Sequence, residues 1–204
     1  MIQLASFLWW DHNAHYHPWL LRQVPPGASR ALDVGCGSGA LTRRLSSLVA
    51  SVDAVDASPA MIERATGRAR WLVGDIMRVD LNPAGYDLVT ALSSLHHLPL
   101  RAGLTRLAEL VRPGGTLAVV GLYRHATLAD LAMAAVTLPA NAAWGAVLAA
   151  RGRAGKPNDE GMPVRDPDTT LAEIRAAAAE LLPGAVVRRR VFWRYTLLWR
   201  RPPA

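Results

Sequence analysis

Three glycines stand within five residues, directly after a short apolar segment that contains an aspartate. The glycines and the cysteine among them are Gly35, Cys36, Gly37 and Gly39. Glycine has no Cβ atom, so the backbone there can adopt positive φ angles and approach a ligand closely. Leu41 and Leu45 then begin a helical spacing, and the first turn of a helix offers unpaired N–H groups to an anion. The pattern predicts a strand, a ligand-binding turn and a helix; the simpler alternative is a tight turn without a ligand.

The acid before the glycine loop narrows the choice of ligand. The third glycine comes one residue too early for the dinucleotide fingerprint Gly-x-Gly-x-x-Gly, and the Gly-Lys-Ser/Thr ending of a P-loop is missing. A carboxylate at Asp33 would repel a pyrophosphate, but it could hold an ammonium group directly or through water. The loop therefore predicts a ligand that carries both an ammonium and a carboxylate group.

A second acid, Asp56, closes the next apolar strand, and Ser58 and Pro59 follow as the expected N-cap and first residue of a helix. An acid about 20 residues after the first glycine is placed to accept hydrogen bonds from ribose hydroxyls. Asp53 is the competing acid, but it falls inside the strand and is interpreted as structural. The alternative for Asp56 is a turn residue without a ligand.

A third unit repeats this arrangement. Residues 70–73 form a predicted strand that is followed by Gly-Asp-Ile. The carboxylate of Asp75 could accept a hydrogen bond from an exocyclic amine, and Ile76 could cover the face of a base. A Gly-Asp pair after a strand is common and indicates no ligand alone. It indicates a binding site only together with the first two units.

Together these units resemble the class I S-adenosylmethionine-dependent methyltransferases, and closely the small-molecule branch called type 11. The likeness continues through residues 86–92 as strand four and Pro-Gly-Gly at 113–115 as the turn into strand five, and it spans about residues 31–121. It implies that the glycine loop holds the methionine part of the cofactor, Asp56 the ribose and Asp75 the adenine amine. The cofactor-binding residues that it implies are Asp33, Gly35, Cys36, Gly37, Gly39, Asp56, Ala57, Met61, Asp75, Ile76 and Leu92. S-adenosylmethionine is the expected cofactor and S-adenosylhomocysteine the product.

Strands and helices alternate from residue 30 to residue 122, which predicts right-handed crossovers and a parallel sheet. We expect an α/β fold: a Rossmann-like three-layer sandwich with a mostly parallel seven-stranded sheet. Residues 186–191 and 195–200 are its antiparallel C-terminal edge hairpin, and Thr170 and Glu173 form a capping box that opens the helix before it. Ligands of such sheets bind beyond the carboxyl ends of the strands. The three acidic sites and Leu92 should therefore meet in one pocket.

The whole chain, 1–204, is predicted to be a single methyltransferase domain. Its parts are an N-terminal helical flap (1–29), a cofactor-binding core (30–122), a cap insert and loop (123–168), and a C-terminal helix and hairpin (169–204). The flap concentrates aromatic residues and histidines, among them Phe7 and Trp9. It is expected to lie over the cofactor and form one wall of the acceptor pocket; the alternative is a hydrophobic helix packed on the sheet edge. Its histidines have no recognisable metal-ligand spacing, so no metal is expected.

Methyl transfer from a sulfonium needs mainly alignment of the acceptor and exclusion of water, and it needs a base only if the acceptor loses a proton. His96 and His97 follow strand four near the expected methyl position, and His96 is the predicted base. The alternative is that Leu-His-His-Leu packs structurally. The residues expected to contact the acceptor are Trp10, Tyr16, His17, His97 and Tyr123.

Residues 131–150 carry no charge, and 20 residues could span a bilayer. We reject a membrane span because Pro139, Asn141 and Gly145 interrupt the segment and because it lies between strands of one sheet. We expect one broken helix or two shorter ones, packed on the sheet or capping the pocket, and an apolar acceptor. Residues 151–168, rich in Gly, Pro and charge, are predicted to form a mobile loop.

The net charge of +7 raises the possibility of nucleic-acid binding. Lys156 is the only lysine, however, and the excess of arginine matches the general compositional bias of the chain. The run of arginines at 188–190 is interpreted as the solvated edge of the hairpin, so no nucleic-acid partner is expected. The single cysteine excludes an intrachain disulfide, and no signal-peptide pattern is recognised, so a cytoplasmic monomer or homodimer is expected.

The leading hypothesis is an enzyme that transfers a methyl group to a small organic acceptor at O, N or C by in-line displacement. One alternative is an RNA-modifying methyltransferase, which rests only on the positive charge. A second is a cofactor-binding protein of this fold that transfers no methyl group. A nicotinamide-dependent reductase is disfavoured by the glycine spacing.

Overall fold

The computed structural model describes residues 10–152 and 165–203. The strands are β1 (Arg30–Val34), β2 (Ser51–Asp56), β3 (Arg70–Val73), β4 (Tyr86–Leu92), β5 (Val111–Gly121), β6 (Val186–Arg190) and β7 (Arg194–Arg200). The helices are α1 (His12–Leu21), α2 (Ala40–Leu45), α3 (Pro59–Glu63), α4 (Leu100–Leu110), α5 (Leu128–Ala150) and α6 (Leu171–Leu181), with a short 3-10 helix at Leu95–His97. Phe7, Trp9 and most of the predicted mobile loop lie outside the described residues.

The seven strands form one sheet in the order β3-β2-β1-β4-β5-β7-β6. Strands β1 to β5 are parallel to one another, and β7 is antiparallel to both β5 and β6. The expected fold class is therefore confirmed, including the antiparallel C-terminal hairpin. The chain builds outward from β1 in one direction and from β4 in the other, so a crevice opens between the carboxyl ends of these two strands.

Helices cover both faces of the sheet. On one face Leu20 of α1 and Leu41 and Leu45 of α2 pack against apolar residues of β2, β4 and β5. On the other face α4 and α6 contribute Leu104, Leu107 and Ile174, among others, to a larger core cluster. Parallel strands covered on both faces are continuously apolar. Each fully buried leucine contributes about 1.5–3 kcal/mol, so the two clusters fix the strand ends on which the site depends.

The Pro-Gly-Gly sequence departs from its predicted role as a turn before strand five. Val111 already pairs with Tyr86, and the next pair joins Thr116 to Leu88, so residues 112–115 form a bulge inside β5. The Gly114 N–H donates to the Arg201 carbonyl at 3.0 Å, and the Arg201 N–H donates to the Gly115 carbonyl at 2.9 Å. These bonds to the segment after β7 hold the bulge in the sheet, which is why the prediction of a turn was wrong.

Helix α5 is a single helix of 23 residues, so the predicted break was wrong. Thr127 and Asp130 form a capping box at its start, Pro139 lies within it, and the Asn141 side chain bonds to α1. Asn141 therefore anchors the helix instead of ending it. Among the described residues α5 is the one helix long and apolar enough to cross a membrane by these two criteria, and 17% of its most apolar window is buried.

Candidate cofactor and acceptor site

A cavity of about 520 Å³ lies at the carboxyl ends of β1, β2 and β4. This is the crevice at which the strand order changes direction, and its size is in the range of small-molecule sites. Nine of the eleven predicted cofactor residues line it: Asp33, Gly35, Cys36, Gly37, Asp56, Ala57, Asp75, Ile76 and Leu92. Three of the predicted catalytic and acceptor residues also line it: His17, His96 and His97.

The glycine loop is tied to β2 by its own backbone. The N–H groups of Gly35 and Cys36 both donate to the Val55 carbonyl, at 2.8 and 3.1 Å. Gly35 has φ +69°, and a Cβ built on it would stand 2.3 Å from the Ser94 Cβ. The loop therefore requires glycine at this point for both its backbone conformation and its close approach to Ser94.

Asp33 is a buried carboxylate that faces the cavity. It accepts hydrogen bonds from the Thr42 hydroxyl at 2.7 Å and from the Thr90 hydroxyl at 3.0 Å. Among the described residues no cation pairs with it, and burial raises the pKa of Asp33 to about 6. A buried charge of this kind is stabilised by an incoming cation, so the side chain fits the ammonium of an amino-acid ligand.

Asp56 lies between the glycine loop and α3. Its Oδ2 accepts from the Gly37 N–H at 2.8 Å, and its Oδ1 accepts from the Ser58 N–H at 2.9 Å. Each carboxylate oxygen keeps a further lone pair for a ligand hydroxyl. Asp75 follows β3, where it accepts from the Met77 N–H at 2.9 Å and is otherwise exposed beside the buried Ile76. Both acids line the cavity, at the ends of two successive strands.

Asp53 serves the interior of the fold. Its carboxylate bonds to the Arg70 guanidinium at 3.1 and 3.2 Å and accepts from the Tyr86 hydroxyl at 2.5 Å. It is absent from the cavity lining. The structural interpretation of this acid is in keeping with these contacts.

His96 and His97 belong to the 3-10 helix after β4, and their ring centroids are 4.2 Å apart. Burial, with smaller contributions from nearby cations, lowers the pKa of His96 to about 4, and burial also lowers the pKa of His97. The His96 Nδ1 is buried and has no hydrogen-bond partner. Because its pKa is lowered in this way, the His96 imidazole is uncharged at neutral pH.

Five predicted site residues lie outside the cavity lining: Trp10, Tyr16, Gly39, Met61 and Tyr123. The Tyr16 hydroxyl donates to the Val191 carbonyl at 2.6 Å, and the Trp10 ring packs on Phe192 at 4.8 Å. Gly39 has φ +82° directly before α2, and a Cβ there would stand 2.3 Å from the Trp71 ring.

The other two lie in the interior as well. Met61 is a buried residue of α3, and Tyr123 packs near Tyr195 with a centroid distance of 6.3 Å. None of these five residues lines the cavity.

Several lining residues were missed by the sequence reasoning: Asp11, Asn13, Ser38, Ser93, Ser94, Leu98, Leu122, Arg165, Asp166 and Pro167. Asn13 Oδ1 accepts from the Ser93 hydroxyl at 2.7 Å and from the Arg194 guanidinium at 3.2 Å. Ser93 and Ser94 directly follow β4, and that position at a strand end was the signal available for them. Asn13 and Arg165 carry no comparable signal, because they reach the cavity from distant segments.

Helix α1 lines the cavity and also packs on the face of the sheet, not on the sheet edge as the alternative prediction had it. Asn13 and His17 line the cavity, and Leu20 packs into the sheet core. Within the described residues, α5 contributes nothing to the lining, so the predicted closure of the pocket by this helix does not occur there. Residues 165–167, which follow α5 in the chain, do line the cavity. The described part of the chain holds no group of three or more His, Cys, Asp or Glu residues placed to bind a metal.

A sheet of this order, with a glycine loop after β1 and acids after β2 and β3, defines the class I methyltransferase fold. A family model described as a methyltransferase domain matches residues 31–115. An uncharacterised methyltransferase of Mycobacterium bovis is 38% identical over 200 residues, which cover 95% of this chain and 98% of that protein. A ubiquinone biosynthesis O-methyltransferase of Burkholderia vietnamiensis is 31% identical over 126 residues, 52% of this chain and 54% of that protein.

A solved structure extends the likeness in fold. The N-methyltransferase NodS from Bradyrhizobium japonicum WM9, in complex with S-adenosyl-L-homocysteine, superposes with a TM-score of 0.59 at 18% identity. The match covers 94% of this chain and 90% of that chain. This protein belongs to the class I S-adenosylmethionine-dependent methyltransferases, and S-adenosylmethionine is its cofactor.

Proposed function

We propose that this enzyme methylates a hydroxyl oxygen of a small, largely apolar organic acceptor, with His96 as the base. The observation that carries the proposal is the position of His96 in the lining of the cofactor cavity, directly after β4. A hydroxyl must lose its proton as it is methylated, and an uncharged imidazole can accept that proton. The O-methyltransferase relative, similar over about half of each chain, also supports transfer to oxygen.

We assign each part of the cofactor to the residues of the cavity whose charge and hydrogen-bonding groups complement it. We assign the ammonium to Asp33, the carboxylate to the backbone amides of the glycine loop, the ribose to Asp56 and the adenine amine to Asp75, with Ile76 against the base. When bound, S-adenosylmethionine supplies an electrophilic methyl group on a sulfonium. The raised pKa of Asp33 supports this assignment, because a carboxylate that lacks a cation in the free protein gains most from the ligand ammonium.

The acceptor end is assigned to the surroundings of His96. Leu98, Leu122 and His17 also line the cavity, and burial lowers the pKa of His17 to about 4. The two leucines favour an acceptor with an apolar part. The hydrogen-bonded pair Asn13 and Ser93 offers the polar group that could orient a hydroxyl.

A panel of acceptors tests the proposal. Purified protein is incubated with S-adenosylmethionine and matched pairs of phenols and anilines, or alcohols and amines, of the same carbon skeleton, and S-adenosylhomocysteine is quantified. We expect product with the hydroxyl member of a pair. Product from amines alone, or acceptance only of RNA with binding that weakens steeply with salt, would contradict the proposal.

A further inference from the structure

Helix α5 has its polar and apolar sides reversed relative to a helix on the surface of a water-soluble domain. Asp130, Thr137 and Asn141 are spaced by seven and four residues, which places them on one side of the helix, and all three are buried. Away from these residues the helix surface is apolar and exposed, and Trp144 lies at the border between the two sides. The helix accounts for six of the nine exposed large apolar side chains in the described residues: Leu128, Leu131, Val136, Leu138, Trp144 and Val147.

The buried polar side anchors α5 to the rest of the molecule. The Asp130 carboxylate pairs with the Arg189 guanidinium of β6 at 2.8 Å. Farther along, the His12 Nε2 donates to the Asn141 amide oxygen at 2.7 Å, and the Trp144 ring meets the His15 ring edge-on at 5.8 Å. The helix is thus held along its length with its apolar side outward, and these contacts would have to break before it could cross a bilayer.

We propose that this apolar side of α5 binds the surface of an anionic lipid bilayer, with the helix lying flat in the interface. A helix of 23 residues is about 34 Å long. Its backbone N–H and C=O groups bond to one another within the helix, so an apolar side can contact hydrocarbon without losing hydrogen bonds. Its only exposed side-chain donor is the indole of Trp144, a residue type enriched where hydrocarbon meets headgroups. Interfacial helices bind by such an apolar face together with attraction between basic residues and anionic lipids.

The charges around α5 favour lipid over a second copy of this chain. Exposed arginines, Arg124 and Arg151, lie just before and just after the helix, and the whole chain carries a net charge of +7. Anionic headgroups would attract both arginines. In a two-fold dimer along α5 the arginines of the two copies would come close together, and the exposed side of α5 carries no carboxylate to pair with them.

The test is flotation of the purified full chain with vesicles of phosphatidylcholine alone or containing phosphatidylglycerol. We expect binding to the anionic vesicles. Leu131→Glu and Leu138→Glu should each lower the partition coefficient by about tenfold or more, because each removes one inserted leucine. The matched control is Leu48→Glu, at another half-exposed leucine between α2 and β2, which should bind as the unsubstituted chain does.

A second pair of variants examines the charge. Arg151→Gln should weaken binding to anionic vesicles by about fivefold, whereas Arg175→Gln on the exposed side of α6 should not. Bromine-labelled lipids test for contact between α5 and the bilayer in the unsubstituted protein. They should quench tryptophan fluorescence, and Trp144→Phe should remove most of that quenching.

Three results would overturn the proposal. The first is equal flotation of the chain with and without the α5 substitutions, or none at all. The second is a concentration-dependent dimer, seen by analytical ultracentrifugation, that Leu138→Glu dissociates, since it would assign this side of α5 to a second copy. The third is quenching that is unchanged in Trp144→Phe. Circular dichroism confirms that each variant is folded before it is compared.

Discussion

The Gly37 N–H donates to the Asp56 carboxylate at 2.8 Å, so the acid that ends β2 also fixes the glycine loop that follows β1. One side chain therefore joins the proposed ribose and amino-acid parts of the site. Because the glycine loop and a ligand hydroxyl bond to the same carboxylate, a substitution at Asp56 should weaken binding of both the ribose and the amino-acid part of the cofactor.

Asp56→Asn keeps the size of the side chain but removes its charge. We expect the affinity for S-adenosylmethionine to fall by about ten- to a hundredfold, in line with about 1.5–3 kcal/mol for a hydrogen bond to a charged group. Isothermal titration calorimetry measures it. Asp53→Asn is the matched control: it should lower the melting temperature through its Arg70 and Tyr86 contacts and leave the dissociation constant nearly unchanged.

Gly35→Ala should destabilise the protein and abolish cofactor binding. An alanine Cβ there meets the Ser94 Cβ at 2.3 Å, in addition to the strain of a positive φ. Gly27→Ala is the control for the backbone strain alone, because Gly27 has φ +72° and no atom lies within 4 Å of the added Cβ. In urea unfolding we expect about 1 kcal/mol for Gly27→Ala and clearly more for Gly35→Ala. Equal losses would mean that the contact with Ser94 relaxes freely.

Cofactor affinity should depend on the protonation of Asp33. Burial raises the pKa of this carboxyl to about 6, so it is charged above that pH and takes up a proton below it. The attraction for the ligand ammonium is thus present at pH 7–8 and lost as the pH falls through about 6 in the free protein. Calorimetric titrations from pH 5 to pH 8 should show this loss. In Asp33→Asn the affinity should be low at every pH, and an unchanged pH profile in that variant would contradict the assignment.

His96→Gln should lower turnover far more than cofactor affinity. Loss of a general base costs typically 10²–10⁴-fold in rate. Because burial lowers the pKa of His96 to about 4, the imidazole is already uncharged at pH 6, and turnover at saturating cofactor should show no rise near pH 6.5 from this group. His125→Gln, at an exposed histidine after β5, serves as the control for both measurements. A parallel loss of affinity and turnover in His96→Gln would support a structural role.

Asp130→Ala should destabilise the protein strongly, since it leaves the Arg189 guanidinium without its buried partner. We expect about 3–5 kcal/mol in chemical unfolding. The substitution also removes the capping box of α5, and Glu173→Ala removes the corresponding capping box of α6 on the exposed surface. That control should cost about 1 kcal/mol. A similar cost for the two variants would mean that the buried ion pair contributes little.

Local patterns predicted the core elements well because their determinants are local. The bounds of β3 and β4 agree with the expected ones, and the capping box of Thr170 and Glu173 opens α6 as predicted. An apolar run between turn residues, or a hydroxyl three residues before an acid, contains the information needed. The strand order then brings the glycine loop, Asp56 and Asp75 together, as expected for a parallel sheet.

The failures trace to contacts between distant segments. The bulge in β5 depends on backbone bonds to Arg201, about 90 residues away, and Pro-Gly-Gly alone suggested a turn. The continuity of α5 depends on Asn141 meeting His12, a pair separated by 129 positions. In the site, the bonds that Asn13 receives from Ser93 and Arg194 join three parts of the chain, and no local spacing encodes them.

The position of β7 has a consequence for how the chain folds. It fills the gap between β5 and β6, yet it follows β5 only after α5, α6, β6 and the loops between them. Until β7 docks, the free edge of β5 presents unpaired N–H and C=O groups to any other extended segment. Docking requires closure of a long loop, and such non-local pairing is slow. The half of the sheet that carries the cofactor residues can therefore form early, with the β5 edge as the vulnerable point during synthesis.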